Sequence, residues 1–140
     1  MATYIHLSSD DCKTTHPDNT PYSFTVDLPT VLPTRCGEWE LALSSIQVSQ
    51  GKLPKVFNVF CDVVEQSIIK EDRLPVLRQA TQAQFFRPMF IKVVTPELST
   101  IRITLTDINL QPLVKLKGTV TCTLWLRKRQ TMMGGKSCLD

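Results

Sequence analysis

The residues able to do chemistry are few and scattered. There are two histidines, His6 and His16, so a histidine-rich metal site is excluded by count. A mixed site is the remaining metal possibility: His16 shares one polar loop with Asp10 and Asp11, and imidazole with carboxylates is a zinc-type donor set. Solvated loop polar groups explain the same residues without a ligand. Glu38 and Glu40 lie two apart on a predicted strand and so share a face, as an acid/base pair requires. Trp39 and Leu41 beside them make a solvated sheet face the simpler reading. Gly134-Gly135-Lys136-Ser137 has the ending of a phosphate loop but no upstream glycine and no helix after it. No nucleophile elbow or zinc-protease motif is present. The expectation is a protein that is not an enzyme and carries no cofactor.

Charge is informative in its distribution. The 140 residues hold 16 Lys/Arg and 13 Asp/Glu, a net of +3, too small to demand nucleic acid. Residues 1–70 carry five bases against eight acids, and residues 71–140 carry eleven against five. Complementary halves of this kind suit a head-to-tail contact between copies. Asp10, Asp11 and Asp18 are its candidate acids, and Arg127, Lys128 and Arg129 its candidate bases. That basic triplet would also give modest, salt-dependent nucleic-acid affinity, but no aromatic residues are interleaved to stack on bases, so weak or no binding is expected. As a solvated chain end it needs no partner.

Five cysteines, Cys12, Cys36, Cys61, Cys122 and Cys138, form no CxxC or metal-ligand spacing and read as free thiols. Cys61 and Cys122 sit in apolar runs and read as core residues; Cys138 is the one expected to react or cross-link.

The elements that must hold these residues are strands. Tyr22 to Leu28 alternates strictly, with Tyr22, Phe24, Val26 and Leu28 on one face. Glu38 to Val48 alternates around Trp39, Leu41 and Leu43, then changes parity at Ser44-Ser45, which predicts a bulge. Ile101, Ile103 and Leu105 repeat the pattern, as do Val120, Cys122, Leu124 and Leu126. Further strands are expected at Thr3–Leu7, Val56–Val64, Gln66–Lys70 and Phe86–Val94, the last interrupted by Pro88 and so edge-like or bulged. Glu71 to Gln84 reads as a loop with one helical turn beginning at Pro75. A short pairing is expected at Leu113 to Leu116. The core prediction is Phe24, Val26, Trp39, Leu41, Ile103, Leu105, Val120, Cys122 and Leu124.

Eight short strands with proline-rich turns give an all-β, antiparallel β-sandwich with single jelly-roll topology; an immunoglobulin-like sandwich is the alternative. Residues 1–127 form one domain, and 128–140 a basic, then polar, tail. Leu, Ile, Val and Phe supply 30% of the chain, ample for a core. No apolar run is long enough for a membrane helix, and Met1 to Leu7 does not read as a signal peptide, so no membrane insertion and synthesis in the cytosol are expected.

Three stretches carry a resemblance: "HPDNTPYSFTVDLP" (16–29), "GEWELALSSIQV" (37–48), and "IRITLTD" (101–107) with "LKGTVTCTLWLRK" (116–128). Together they resemble the minor capsid, or penton-type, proteins of Polinton/Maverick elements and related adintovirus- and adomavirus-like viruses. The matching positions are Pro17 to Pro21, Gly37, Trp39, Glu40, Ala42, Leu43 and Gly118. The chain departs from that pattern after Val48, where an aromatic stretch is missing, and in the tail bearing Cys138. The resemblance implies a jelly roll that forms vertex pentamers beside a major capsid protein, a virion location, synthesis in the host cytoplasm and assembly in the nucleus. The loop from Asp10 to Pro21 and the tail would be arms that reach neighbours. A receptor- or carbohydrate-binding sandwich, using Tyr4, Tyr22 or Trp125, is the alternative.

Overall fold

The computed structural model describes residues 2–34, 38–81 and 87–129. Ten strands follow in order: β1 (Ala2–Ser8), β2 (Ser23–Pro33), β3 (Trp39–Gln50), β4 (Val56–Cys61), β5 (Ser67–Ile69), β6 (Asp72–Leu74), β7 (Val76–Thr81), β8 (Ile91–Lys92), β9 (Glu97–Thr106) and β10 (Lys117–Lys128). Eight of them make two four-stranded antiparallel sheets, β1-β10-β3-β8 and β2-β9-β4-β7. Successive strands alternate between the sheets except where β4 and β7 pair directly, and the last strand lies between the first and third. This is the double Greek-key wiring of a jelly roll.

Period-2 patterning builds the layers. Phe24, Ile103 and Leu105 point inward from one sheet, and Leu41, Val120 and Leu124 from the other; all are fully buried, and Val26 nearly so. The core is apolar from end to end, so each strand's register is held by the cost of turning its apolar face to water. Trp39 packs against this core but is only half-buried. It pairs with Lys128 at the last paired row of β3 and β10. Cys61 and Cys122 lie inside the core, and burial pushes the Cys61 thiol up to about 12 and Cys122 higher still, so neither forms a thiolate near neutrality. Cys36 and Cys138 lie outside the described residues.

The parity change in β3 is resolved as read from the sequence. Thr123 pairs with Ser45 and Leu124 with Leu43, so Ser44 is the extra residue of a bulge, and Leu43 and Ile46 both face the core.

Elsewhere the structure corrects the sequence reading. The segment from Glu71 is not a loop with a helical turn: Asp72–Leu74 and Val76–Thr81 are strands, and residues 82–84 lie outside the described residues. β7 contains another bulge. The β4–β7 register slips between Val59 and Phe60, so Leu77 and Ala80 are both buried although three apart. Pro75 ends β6, and its carbonyl accepts from Cys61 N–H. Gln66–Lys70 supplies β5, but β5 pairs only with β6 in a separate ribbon and is no part of the sandwich. The expected strand at Phe86–Val94 shrinks to the two residues of β8, an edge strand after Pro88; Phe86 itself lies outside the described residues. The pairing expected at Leu113–Leu116 is confined to its start: Pro112 is bridged to Thr106, and Leu113 N–H donates to the Leu105 carbonyl.

Gly118 has φ +76°, a left-handed backbone at the irregularity where β10 enters the sheet. A Cβ there would collide with Ser49 Oγ, which accepts the Thr119 N–H at 2.8 Å. Gly118→Ala therefore combines about 1–2 kcal/mol of left-handed strain with loss of that hydrogen bond. A denaturation midpoint clearly below the parent's is expected in urea unfolding; an unchanged midpoint would refute this account of the turn.

Candidate functional site

Because β10 turns Val120, Cys122, Leu124 and Leu126 inward, it must present Thr121, Thr123, Trp125 and Arg127 outward. Its register then sets their neighbours. Trp125 lies between Tyr4 of β1 and Ala42 of β3. Ala42 has no exposed surface: its small side chain leaves room for larger groups to lie across it. Tyr4 stacks on Trp125 with centroids 5.4 Å apart and planes 27° apart. Phe90, just before β8, meets Trp125 from the other side, edge-on at 5.3 Å and 70°. Such offset and edge-to-face pairs contribute about 0.5–1.5 kcal/mol each beyond area burial.

Arg127 locks the cluster. Its guanidinium carbon sits 3.5 Å above the Phe90 ring centroid, and its Nε donates to Glu40 Oε1 at 2.7 Å. The carboxylate is largely sheltered, with 14% of its side chain exposed, so the pair is screened less than a surface bridge would be. Tyr4 remains 54% exposed. The Trp125 indole N–H is buried and has no acceptor among the described residues. The outer face of this sheet therefore carries a rigid ring cluster with one exposed aromatic edge.

The other outer face bears a groove of about 420 Å³. Phe60 and Thr104 are on its floor, Leu74 and Pro75 on the hairpin side, and Leu110 and Pro112 on the β9–β10 loop side. Lys70 Nζ donates to Asn109 Oδ1 at 2.9 Å, tying the hairpin to that loop. Arg102 spans the sheet to Ser23 and Thr25 hydroxyls at 2.8 and 3.2 Å. Asp62 is beside it, accepting the Arg102 backbone N–H at 2.9 Å.

The residues singled out from the sequence fall in several places. Asp10, Asp11 and His16 do not converge. Asp10 holds Lys13 at 2.8 Å and accepts from the Thr119 hydroxyl, which keep its carboxyl below the usual range; Asp11 accepts Ser8 N–H, and His16 pairs with Asp27 at 3.0 Å. Among the described residues no group of three His, Cys, Asp or Glu is arranged to hold a metal. With Asn19 bonded to Thr25 in both directions, the loop is fastened to its own domain rather than extended as an arm. Asp18 is exposed. Glu38 and Glu40 are not an acid/base pair: Arg129 lies 3.6 Å from Glu38 and Arg127 binds Glu40. Arg127 and Arg129 thus have acidic partners within their own chain, and Lys128 ends β10, exposed. Asp10 of the 8–21 loop is bonded to Thr119, and the basic triplet is at the far end of the same strand, about 26 Å away by strand rise. Residues 130–140 of the expected tail lie outside the described residues.

Tyr22, a candidate exposed aromatic, packs against the core instead. Phe90 and Ala42 were missed as partners of Trp125. Only the strand register brings them there, although an alanine on the outward parity of an otherwise bulky strand was the available sign.

No family model matches the chain, and no curated protein matches it. The site must be read from its own chemistry. Tyrosine, tryptophan and arginine around a preorganised cluster are the residue types that dominate protein-interface energetics, and exposed rings of this kind also stack on sugars.

Asp62 is an exposed residue, but partial desolvation of its carboxyl raises its pKa above its ordinary value, against the smaller effects of the Arg102 backbone bond and charge. The folded chain therefore holds this proton more tightly than the unfolded chain. Asp62 ionisation costs stability as pH rises from the unfolded value, about 3.9, through the folded one. Asp62→Asn keeps an acceptor for Arg102 N–H and removes the charge. The variant is expected to melt above the parent at pH 7, with the difference disappearing near pH 3; a variant that melts lower at pH 7 would contradict the assignment.

Proposed function

We propose that this chain is a structural capsid component, a penton or minor capsid protein that oligomerises at the vertices of an icosahedral shell. The observation that carries the reading is the strand order: a complete jelly roll built by a sequence that resembles Polinton-type minor capsid proteins. The outward Tyr4–Trp125–Phe90–Arg127 cluster supports it, because a preorganised aromatic patch with a half-exposed ring is suited to burial in a subunit contact. A pentamer is the favoured homo-oligomer, and a major capsid protein its shell partner, in a virion whose proteins are made in the host cytoplasm and assembled in the nucleus.

Light scattering on the native particle should give five times the protomer mass of 15.8 kDa, with a ring outline in negative stain. A strict monomer at micromolar concentration and physiological salt, unchanged by addition of a shell protein, would sink the proposal.

The same cluster favours a second reading, a receptor- or carbohydrate-binding module, in which Tyr4 and Trp125 stack on a sugar ring. Glycan-array binding by a monomer, abolished by Tyr4→Ala, would select it.

A further inference from the structure

An edge strand has one side of its backbone unpaired, and folded sandwiches blunt such edges with prolines, charges, bulges or short strands. The edge strands of the two sheets are β1, β8, β2 and β7. Three of them are blunted. β8 has two residues, β7 slips register against β4, and β2 carries Pro29 and Pro33 and breaks register between Asp27 and Leu32. β1 has none of these devices: it pairs with β10 over seven successive residues without a shift, and it holds no proline, lysine or carboxylate. The hydrogen-bond phase says which of its groups are free. Ser9 N–H donates to the Val120 carbonyl, so the bonded pairs of the antiparallel ladder continue at every second residue, Leu7, Ile5 and Thr3. Tyr4, His6 and Ser8 therefore turn their N–H and C=O groups to the open side. Asp11 occupies those of Ser8: its carboxylate accepts the Ser8 N–H at 3.0 Å, and its own N–H donates to the Ser8 carbonyl at 3.0 Å. Tyr4 and His6 are left, two residues apart, with backbone groups that meet no partner among the described residues.

Both residues line a cavity of about 520 Å³ between the edges of the two sheets, where Leu28 and Leu32 form the apolar wall on the β2 side. Asp11 and Asp27 are its charged residues, and among the described residues no lysine or arginine lines it. His16 pairs with Asp27, whereas Asp11 is met by a backbone N–H and has no cationic partner among the described residues. We propose that the open edge of β1 takes an extended peptide as an added strand, one whose alternate side chains are apolar and whose intervening ones include lysine or arginine. The peptide backbone pairs with Tyr4 and His6, its apolar side chains fill the cavity against Leu28 and Leu32, and a basic side chain meets Asp11. A second copy's β1 is a poorer occupant. Its Ile5 and Leu7 are already buried in its own core, so it brings no side chains to fill the cavity. The edge is open in a single copy, so this surface exists whether or not copies close a ring.

Amide hydrogen exchange read by NMR on the full chain tests it. In the free protein the amides of Thr3, Ile5 and Leu7 should exchange slowly, and those of Tyr4 and His6 quickly. A capped heptapeptide alternating lysine and valine should slow exchange at Tyr4 and His6. A peptide of the same composition with its valines and lysines in separate blocks should not. The alternating glutamate–valine peptide should bind more weakly than the lysine one. Asp11→Asn keeps an acceptor for the Ser8 N–H and removes the charge; a thermal melt verifies that it folds. It should narrow the preference for the lysine peptide by about two- to fivefold, the size of one exposed ion pair. Tyr4 and His6 amides that stay fast at millimolar lysine–valine peptide overturn the proposal, as does protection confined to β7 or β8. Protection of both amides in the protein alone, growing with its concentration, overturns it in favour of a second copy on the same edge. A preference unchanged in Asp11→Asn overturns the role given to that carboxylate.

Discussion

The phase of β10 is the constraint on which the rest depends. It is paired along most of its length on both sides, with β1 and with β3, so its alternation is imposed on three strands at once. A one-residue slip would expose Val120, Cys122, Leu124 and Leu126 and bury Thr121, Thr123 and Arg127. The core and the outer cluster are therefore two sides of a single choice. The two irregularities in the β3–β10 pairing, at Ser44 and around Gly118, let strands of different local parity keep that phase.

Electrostatics then refine a shape that hydrophobic burial has already set. Glu38, Glu40, Arg127 and Arg129 form rungs between β3 and β10, at the end of the sheet where apolar packing gives out and Trp39 is left half-covered. The pairs do little for cohesion where they are exposed. Their geometric effect is larger: Glu40 aims Arg127 at the Phe90 ring, and a two-residue edge strand is held in place by a ring contact as well as by backbone bonds. The groove face is arranged otherwise. There Asp62, exposed at the surface but with its carboxyl partly desolvated, is left with an elevated proton affinity, and Arg102 is spent on hydroxyl groups of the neighbouring strand.

The fold was legible because strict alternation recurs in strands far apart in the chain, and only a sandwich can bury all those faces together. The Ser44 bulge was legible for the same reason, as a parity change inside one apolar strand. The β6–β7 region was not, because Leu74, Leu77 and Thr81 fall at helical spacing, Pro75 looks like a helix start, and a second bulge at Leu77 breaks the alternation that would have marked a strand. Single charged residues were visible, but their partners were not: Glu40–Arg127 and His16–Asp27 depend on register and loop closure. The aromatic cluster was half-legible. Outward parity marked Trp125, whereas Tyr4 and Phe90 come to it from residues 2–8 and the region before β8, a conjunction that only sheet order creates.

That sheet order also has a consequence during synthesis. Among the described residues the first strand finds its partner only in β10, more than a hundred residues later, and β3 waits for the same strand across most of the intervening chain. While the ribosome is still making β9, β1 has no strand to join and β3 has only the two-residue β8. Loop closure over such a span is slow, and exposed strand edges are prone to wrong pairings in the interval. The β2-β9-β4-β7 sheet can pair as soon as β9 emerges, so it is able to form ahead of its partner and offer the platform on which the late sheet condenses.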